Sequence, residues 1–290
     1  MTIMAKGREL KTRIKSVENT RKITRTLEMV ATSKMKRTQD RVSAARPYAE
    51  SLREVIASLY SPDLAERFPL LRQPTQIKRA AVILLTANRG LAGAFNANLI
   101  KEARATIGRL EGEGVTVDIH TVGKKGAGYF RYLGRTMVSS RTDIGDKPSA
   151  DQAAEIVNDL TAAFSRGELD AVYVIYPSVK SVLSAPPTTL QILPVKPPET
   201  GAKQRDYILS PDAETILGEL LPLYVRNAVY RALVEMTAAF YAAQRTAMKN
   251  ATDNASDMLK VLGRTYNRAR QASITQEIAE IVGGAAALQG

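Results

Sequence analysis

A heptad series in alternating steps of four and three runs from Ile3 to Leu59 without a register break. It passes through Leu10, Ile14, Val17, Ala31, Met35, Val42, Ala45, Ala49, Leu52 and Ile56, and twelve of its seventeen positions are apolar. Such a run predicts one long helix with a coiled-coil seam, its polar exceptions gathered between Arg21 and Thr38. Within that stretch lies LEMVATSKMKR, where Ala31 and Met35 keep the seam while Leu27, Lys34, Lys36 and Arg37 are read as covering the outside. Pro47 removes a backbone donor and predicts a local bend, after which the register resumes.

A second series begins near the other end. Ser210, Pro211 and Asp212 supply an N-cap, a first-turn proline and an acidic first turn. Heptad spacing then carries Val225, Val229, Ala232, Met236, Ala239 and Ala243. The phase drifts through AMKNATDNASDM before Met258, Leu262, Tyr266 and Ala269 resume it. At 1.5 Å per residue the first helix spans about 85 Å and the second about 110 Å. A compact chain of this size has a radius of gyration of only about 19 Å, so neither helix fits inside a globule. The segment between them returns the chain to where it left, so the helices are expected to pair antiparallel and left-handed, the last overshooting by about 25 Å.

The middle has a different texture. Prolines at 62, 69 and 74 close the first helix. AAVILL (Ala80–Leu85) reads as a buried strand, followed by a glycine-containing turn and a helix over Asn96–Leu110. Val115–Val122 alternates as a strand, Ala150–Ser165 is helical, and AVYVIY (Ala171–Tyr176) and TTLQILPV (Thr188–Val195) are β-rich. This alternation predicts a three-layer α/β domain on a largely parallel sheet. The division expected is residues 1–60, 61–209 and 210–290.

Charge narrows the partners. The net charge is +12, and residues 1–60 hold fourteen Lys and Arg against six Asp and Glu, whereas residues 212–290 hold eight of each. A basic first helix suits an acidic partner surface. Nucleic acid is disfavoured, because no Phe, Tyr or Trp is interleaved with the charges of the first 47 residues. With no cysteine, disulfides, thiolate metal sites and thiol switches are excluded. No apolar run approaches the roughly 20 residues of a membrane span, and the N-terminus reads as a mature, non-exported start.

Catalytic signals are weak. TANRGLAG (Thr86–Gly93), between a strand and a helix, could cradle an anion on its amides, but it matches neither a Walker loop nor a dinucleotide fingerprint and is read as a plain turn. GKKGAG (Gly123–Gly128) is read as a turn too. The single histidine, His120, has no second histidine or cysteine to share a metal and is assigned a surface or packing role. No nucleophile stands at a recognisable spacing from a base. The expectation is a non-enzymatic chain with no catalytic, cofactor or metal residues.

The ends carry a resemblance. ARQASITQEIAEIVGGAAA resembles the terminal signature of the gamma subunit of F-type ATP synthases, with Ile274, Thr275, Glu277, Glu280, Gly284, Ala285 and Ala287 in place. SVENTRKITRTLEMVATSKMKR with RPYAE is similar to that family's first helix, and RGLAG with the strands after it to its foot, so the likeness covers essentially the whole chain.

What the resemblance implies is a central rotor shaft: the two terminal helices inside a ring of alpha and beta subunits, and a Rossmann-like inserted α/β domain on the epsilon subunit and the c-ring. The shaft would be present once per complex, peripheral on the cytoplasmic face of a bacterial plasma membrane. Nucleotide chemistry would belong to the beta subunits, and the coupling ion, written as a proton though sodium is equally open, to the membrane subunits. By similarity Leu27 faces an acidic catch region of a beta subunit. Arg270, Gln271, Thr275 and Glu277 lie where beta loops grip the shaft, and Gly283–Ala287, including Gly284 and Ala285, in an apolar sleeve. The family's foot turn commonly reads Asp-Arg-Gly-Leu-Cys-Gly, against which Asn88 and Ala92 are departures, and Pro222 is unusual in its helix. A free-standing antiparallel coiled-coil adaptor is the alternative and a basic nucleic-acid-binding rod the third reading. A smooth end of small residues, GGAAALQG, favours a socketed shaft.

Overall fold

The computed structural model describes residues 3–59, 67–181, 184–196 and 212–289, with side chains described between residues 7 and 285 of these. Helix α1 (Ile3–Leu59) keeps the heptad stripe: Thr24, Ala31, Met35, Thr38, Ala49, Leu52, Ile56 and Leu59 are its buried residues. The helix continues through Pro47, whose ring costs one internal hydrogen bond without ending it. At the other end α5 (Ala213–Gln289) continues through Pro222. Its cap differs from the expected one. Asp212 Oδ1 accepts the Thr215 amide at 2.8 Å, so Asp212 holds the cap rather than the first turn, and Ser210 and Pro211 lie outside the described residues.

The fold is α/β, with long terminal helices and a mixed sheet between them. After a 3₁₀ turn (Pro69–Leu71), the order is β1 (Arg79–Leu85), α2 (Phe95–Gly112), β2 (Thr116–Val122), α3 (Lys124–Tyr132), β3 (Ser139–Arg141), α4 (Ala150–Ser165), β4 (Ala171–Pro177) and β5 (Pro187–Leu193). The strands lie in the order β3-β2-β1-β4-β5. The first four are parallel and β5 runs antiparallel to β4, ending one residue before Pro194, which has no amide to donate. β1 is central and alternates between two cores. Ala80, Val82 and Leu84 pack with α2 and Phe130 of α3, whereas Ala81, Ile83 and Leu85 pack with α4 and with the apolar faces of α1 and α5. Buried on both faces, it reads in sequence as a continuous apolar run.

The chain divides into two compact units, Met1–Ala31 with Gln244–Gly290, and Thr32–Ala243. In the second, Lys34 of α1 meets Tyr241 of α5, and Leu52, Ile56 and Leu59 share a core with Leu217 and Leu221, so the helices run antiparallel. In the first, Thr252 donates to Thr24 at 2.8 Å inside the seam. There the α5 stripe is Met248, Thr252, Ala255 and Leu262, with Met258 48% exposed, which corrects the placement of Met258 in the seam.

GKKGAG is not a free turn. It opens α3, with Gly123 as the capping residue at φ 96°, and Gly126 and Ala127 buried in the helix's first turn. The glycines are spaced for close packing on β1. A Cβ on Gly123 would stand 2.0 Å from the Thr86 carbonyl oxygen, and one on Gly126 3.0 Å from Thr86 Oγ1. Two penalties therefore meet at Gly123, a left-handed backbone and a collision with main chain. Gly123→Ala is expected to destabilise the fold by about 3 kcal/mol or more, read as a lower urea midpoint in pulse proteolysis. An unchanged midpoint would contradict the packing described.

Candidate functional site

In open sheets of this kind, ligands bind beyond the carboxyl ends of the parallel strands. Here that crevice carries TANRGLAG after β1, and its polar groups are consumed from within. Asn96 Oδ1 accepts the Ala87 amide at 3.0 Å, and Asn88 Oδ1 accepts the Lys124 amide at 2.9 Å. Asn88 Nδ2 donates to the carbonyls of Thr142 at 3.1 Å and Ile144 at 2.9 Å. Thr86 Oγ1 donates to Val122 O and accepts the Gly126 amide. The amides of Ala87 in the turn and of Lys124 and Gly126 in the first turn of α3 thus meet side-chain oxygens of the chain itself. At Asn88 an amide does what a carboxylate cannot, accepting on one atom and donating from the other.

The space left over is a cavity of about 250 Å³ lined by Thr86 to Arg89, Ile144 to Asp146, and Met236, Thr237 and Phe240 of α5. One wall of that space is therefore a helix, α5. Residues 232–241 of α5 are all buried, a helix with no solvent face, because α1 covers one side and the α/β domain the other. Phe240 stacks edge-on with Phe95 of α2 at 5.7 Å and with Tyr241 at 5.2 Å.

At the rim, Asp146 gathers charge from three directions. Lys34 Nζ of α1 donates to its Oδ2 at 2.7 Å, and Arg89 of the β1–α2 turn donates to its Oδ1 at 2.5 Å. Both cations also donate to Tyr241 Oη, at 3.1 and 3.2 Å, and Lys34 Nζ lies 5.2 Å from that ring's centre. Burial alone would raise the Asp146 pKa, but hydrogen bonds from Lys34, Tyr241 and Arg89 outweigh it and hold it at about 2. The same bonds, to Asp146 first, raise Lys34 and Arg89. Lys34 is therefore not on the outside of α1, as its sequence position suggested. It turns to the domain.

His120 is buried, its Nδ1 2.8 Å from Ser139 Oγ and its Nε2 without a partner among the described residues. Desolvation lowers its pKa despite the opposing charge of Asp118, so the ring is neutral at physiological pH. Its role is packing at the β2–β3 edge.

The residues assigned by resemblance lie elsewhere. Leu27 is half-buried on α1, whereas Arg270, Gln271, Thr275, Glu277, Gly284 and Ala285 are exposed on α5, and the side chain of Ala287 lies outside the described residues. Every residue from 274 to 285 is exposed. Ile274, Ile278, Ile281 and Val282 make an apolar stripe at helical spacing, 48 to 72% exposed. The polar side chains between them are paired along the helix, Ser273 to Glu277 at 3.2 Å and Gln276 to Glu280 at 2.8 Å.

These features define a class: a coiled-coil protein with an inserted α/β domain whose crevice is walled by its own C-terminal helix and whose C-terminal tip offers an unpaired apolar face. The comparisons are specific. A family model described as ATP synthase matches residues 6–288. The ATP synthase gamma chain of Gemmatimonas aurantiaca is 65% identical over 99% of this chain and 100% of its own length. That of Leptospira biflexa is 42% identical over 98% and 100%. Among solved structures, the mitochondrial ATP synthase central stalk and c-ring of Tetrahymena thermophila contains a chain matching at TM-score 0.61 with 25% identity, over 79% of this chain and 99% of that one. A chain of the Euglena gracilis mitochondrial ATP synthase shares the fold at TM-score 0.69 with 20% identity, over 98% and 95%. The chain belongs to the ATP synthase gamma chain family.

A pH test follows from Asp146. Its pKa in the fold, about 2, is depressed below the unfolded value of about 3.9, so its contribution is present above pH 4–5 and lost as pH falls towards 2. With the carboxylate one-third exposed, solvent screening keeps that contribution to about 1 kcal/mol. The stability gap between the native chain and Asp146→Asn is expected to be constant from pH 5 to 8 and to close between pH 4 and 2 in denaturant titrations. A gap that widens on acidification would contradict the assignment.

Proposed function

We propose that the chain is the central-stalk rotor subunit of an F-type ATP synthase, turning inside a ring of alpha and beta subunits and coupling ion flow through the membrane sector to ATP synthesis or hydrolysis. Its partners on this reading are the alpha and beta subunits, the epsilon subunit and the c-ring. It is present in one copy per complex, held peripherally on the cytoplasmic face of the plasma membrane, and the ATP chemistry stays on the beta subunits. Functionally it divides into residues 1–60, 61–209 and 210–290. Family membership supports this reading, as does the likeness to a chain of the Tetrahymena central stalk and c-ring.

The observation that carries it is the tip. A helix with twelve consecutive exposed residues and an apolar stripe is marginal in water by itself. Each aliphatic side chain in that stripe is worth about 1.5–3 kcal/mol if fully buried, so a socket supplied by other subunits stabilises the tip. The ring contacts proposed are Leu27, Arg270, Gln271, Thr275, Glu277, Gly284 and Ala285. A shaft biases a site only where it touches one conformation better than another. The basic first helix, +8 over residues 1–60, supplies the one-sided surface this needs. One charge moved through 100 mV yields only about 2.3 kcal/mol, so several transfers must be stored before one synthesis step, and a long two-helix shaft can store them by twisting. A free-standing adaptor has no use for an unpaired apolar tip.

Produced alone the chain is expected to aggregate, and produced with its native partners to purify in a nucleotide-hydrolysing assembly. Recovery from native membranes of nucleic acid, or of no ATPase subunits, would overturn the reading. Arg270→Glu is expected to lower ion pumping per ATP by several-fold, whereas Arg109→Glu, which breaks only the exposed pair with Glu113 on α2, leaves it unchanged. Equal effects would contradict the grip assigned to Arg270.

A further inference from the structure

We infer that Asp146, with Lys34, Arg89 and Tyr241, is a torsional clamp that fixes the inserted α/β domain to both terminal helices, so that torque passes between domain and helices without slip. This rests on the rotor reading of the preceding subsection.

Two kinds of contact hold the helices to the domain in Thr32–Ala243. The first is the apolar core in which Leu52, Ile56 and Leu59 of α1 and Leu217, Leu221 and Val225 of α5 meet the sheet and α4. Apolar burial resists separation but is non-directional, so it resists sliding and twisting poorly. The second is directional. Asp146 accepts from α1 and from the β1–α2 turn, and both donors also reach Tyr241 of α5. Charge-assisted hydrogen bonds fix angle as well as distance, so neither α1 nor α5 can shift against the domain without breaking the Lys34 bond to Asp146 or the Arg89 bond to Tyr241. Two further polar ties from α5, Glu235 accepting the Val179 amide at 2.9 Å and Arg226 donating to Asn158 Oδ1 of α4 at 2.9 Å, anchor that helix alone.

Placement supports the assignment. Lys34 and Tyr241 lie two residues inside the limits of this unit, at Thr32 and Ala243, where both helices leave it. A twist entering along either helix is met there first. Behind the clamp the backing is stiff: Tyr241 is only 2% exposed and Ile144, two residues before Asp146, is buried in the core. Partly exposed ion pairs add little to stability, so what this cluster contributes is orientation rather than folding energy.

The test uses the whole complex in sealed vesicles, comparing ATP hydrolysis with ion pumping. Asp146→Asn keeps the side-chain shape and removes the charge. It is expected to leave assembly intact and hydrolysis within about twofold of native, while pumping per ATP falls at least threefold. The exchange Lys34→Asp with Asp146→Lys is expected to recover more than half of the lost pumping, which a residue needed only for folding would not do. Unchanged pumping per ATP in Asp146→Asn overturns the clamp, as does a loss of pumping and hydrolysis in step with lost subunit. Failure of the exchange to recover coupling overturns the ionic basis. If complexes with the native chain do not pump at all, it is the rotor reading that fails.

Discussion

Ten consecutive residues of α5, Ala232 to Tyr241, have no side open to water. A helix of Leu233, Val234, Met236, Phe240 and Tyr241 cannot stand in solvent, so it needs two partners, and it takes α1 on one flank and the α/β domain on the other. Much of the second unit depends on this. The domain's sheet offers Ala81, Ile83 and Leu85 to the face that meets the helices, and α4 adds Ala153, Val157, Leu160 and Phe164 around them. The crevice beyond the β1 strand end is walled on one side by Met236, Thr237 and Phe240 of α5. An architecture associated with ligand binding is thereby turned into a mount for a helix.

The two units solve different problems. Residues 32–243 bury large aliphatic and aromatic side chains on several fronts. In the unit of residues 1–31 with 244–290, the seam is narrower and partly polar, with Thr24 bonded to Thr252 and alanine and threonine where leucine would fit. A buried hydrogen bond contributes only about 1 kcal/mol net, and each hydroxyl is also bonded to a carbonyl of its own helix, Thr24 to Arg21 at 3.1 Å and Thr252 to Met248 at 2.9 Å, so the pair satisfies the seam's polar groups without adding much stability. Beyond them the last described turns of α5 have no partner from their own chain among the described residues.

Much of this was legible in the residues. The α1 stripe follows from counting in fours and threes, because a helix that buries one face must repeat apolar residues at nearly that period. The strands read from Ala80, Val115 and Ala171 and the helix read from Ala150 were legible for similar reasons, and the structure adds a Ser149 and Gln152 capping box to that helix. The misreadings share one cause. Lys34 looked like an outer residue because a lysine between a seam alanine and a seam methionine normally points to water, and nothing local announces Asp146 at a separation of 112 residues. Met258 looked like seam because it is apolar, yet the stripe set by pairing with α1 falls elsewhere. GKKGAG looked like a turn because its glycines suit one; at Gly123 and Gly126 Thr86, just past the end of β1, leaves little room for a side chain.

The sequence by itself determined the two long helices, their seam, the α/β character of the insert and, through its terminal motifs, the family. These are local or periodic properties, written within a few turns of helix or one strand. Only the tertiary structure decided which polar residues are spent on holding the parts together, that Asn96 and Asn88 accept the amides of Ala87 and Lys124, that α5 walls the crevice, and that Lys34, Arg89, Asp146 and Tyr241 meet. Those facts depend on three-dimensional proximity between residues up to 207 apart in the chain, and hydrogen bonding falls off within a fraction of an ångström beyond its contact distance. No local pattern encodes such a meeting. It exists only once the sheet, its crossovers and the two helices are packed.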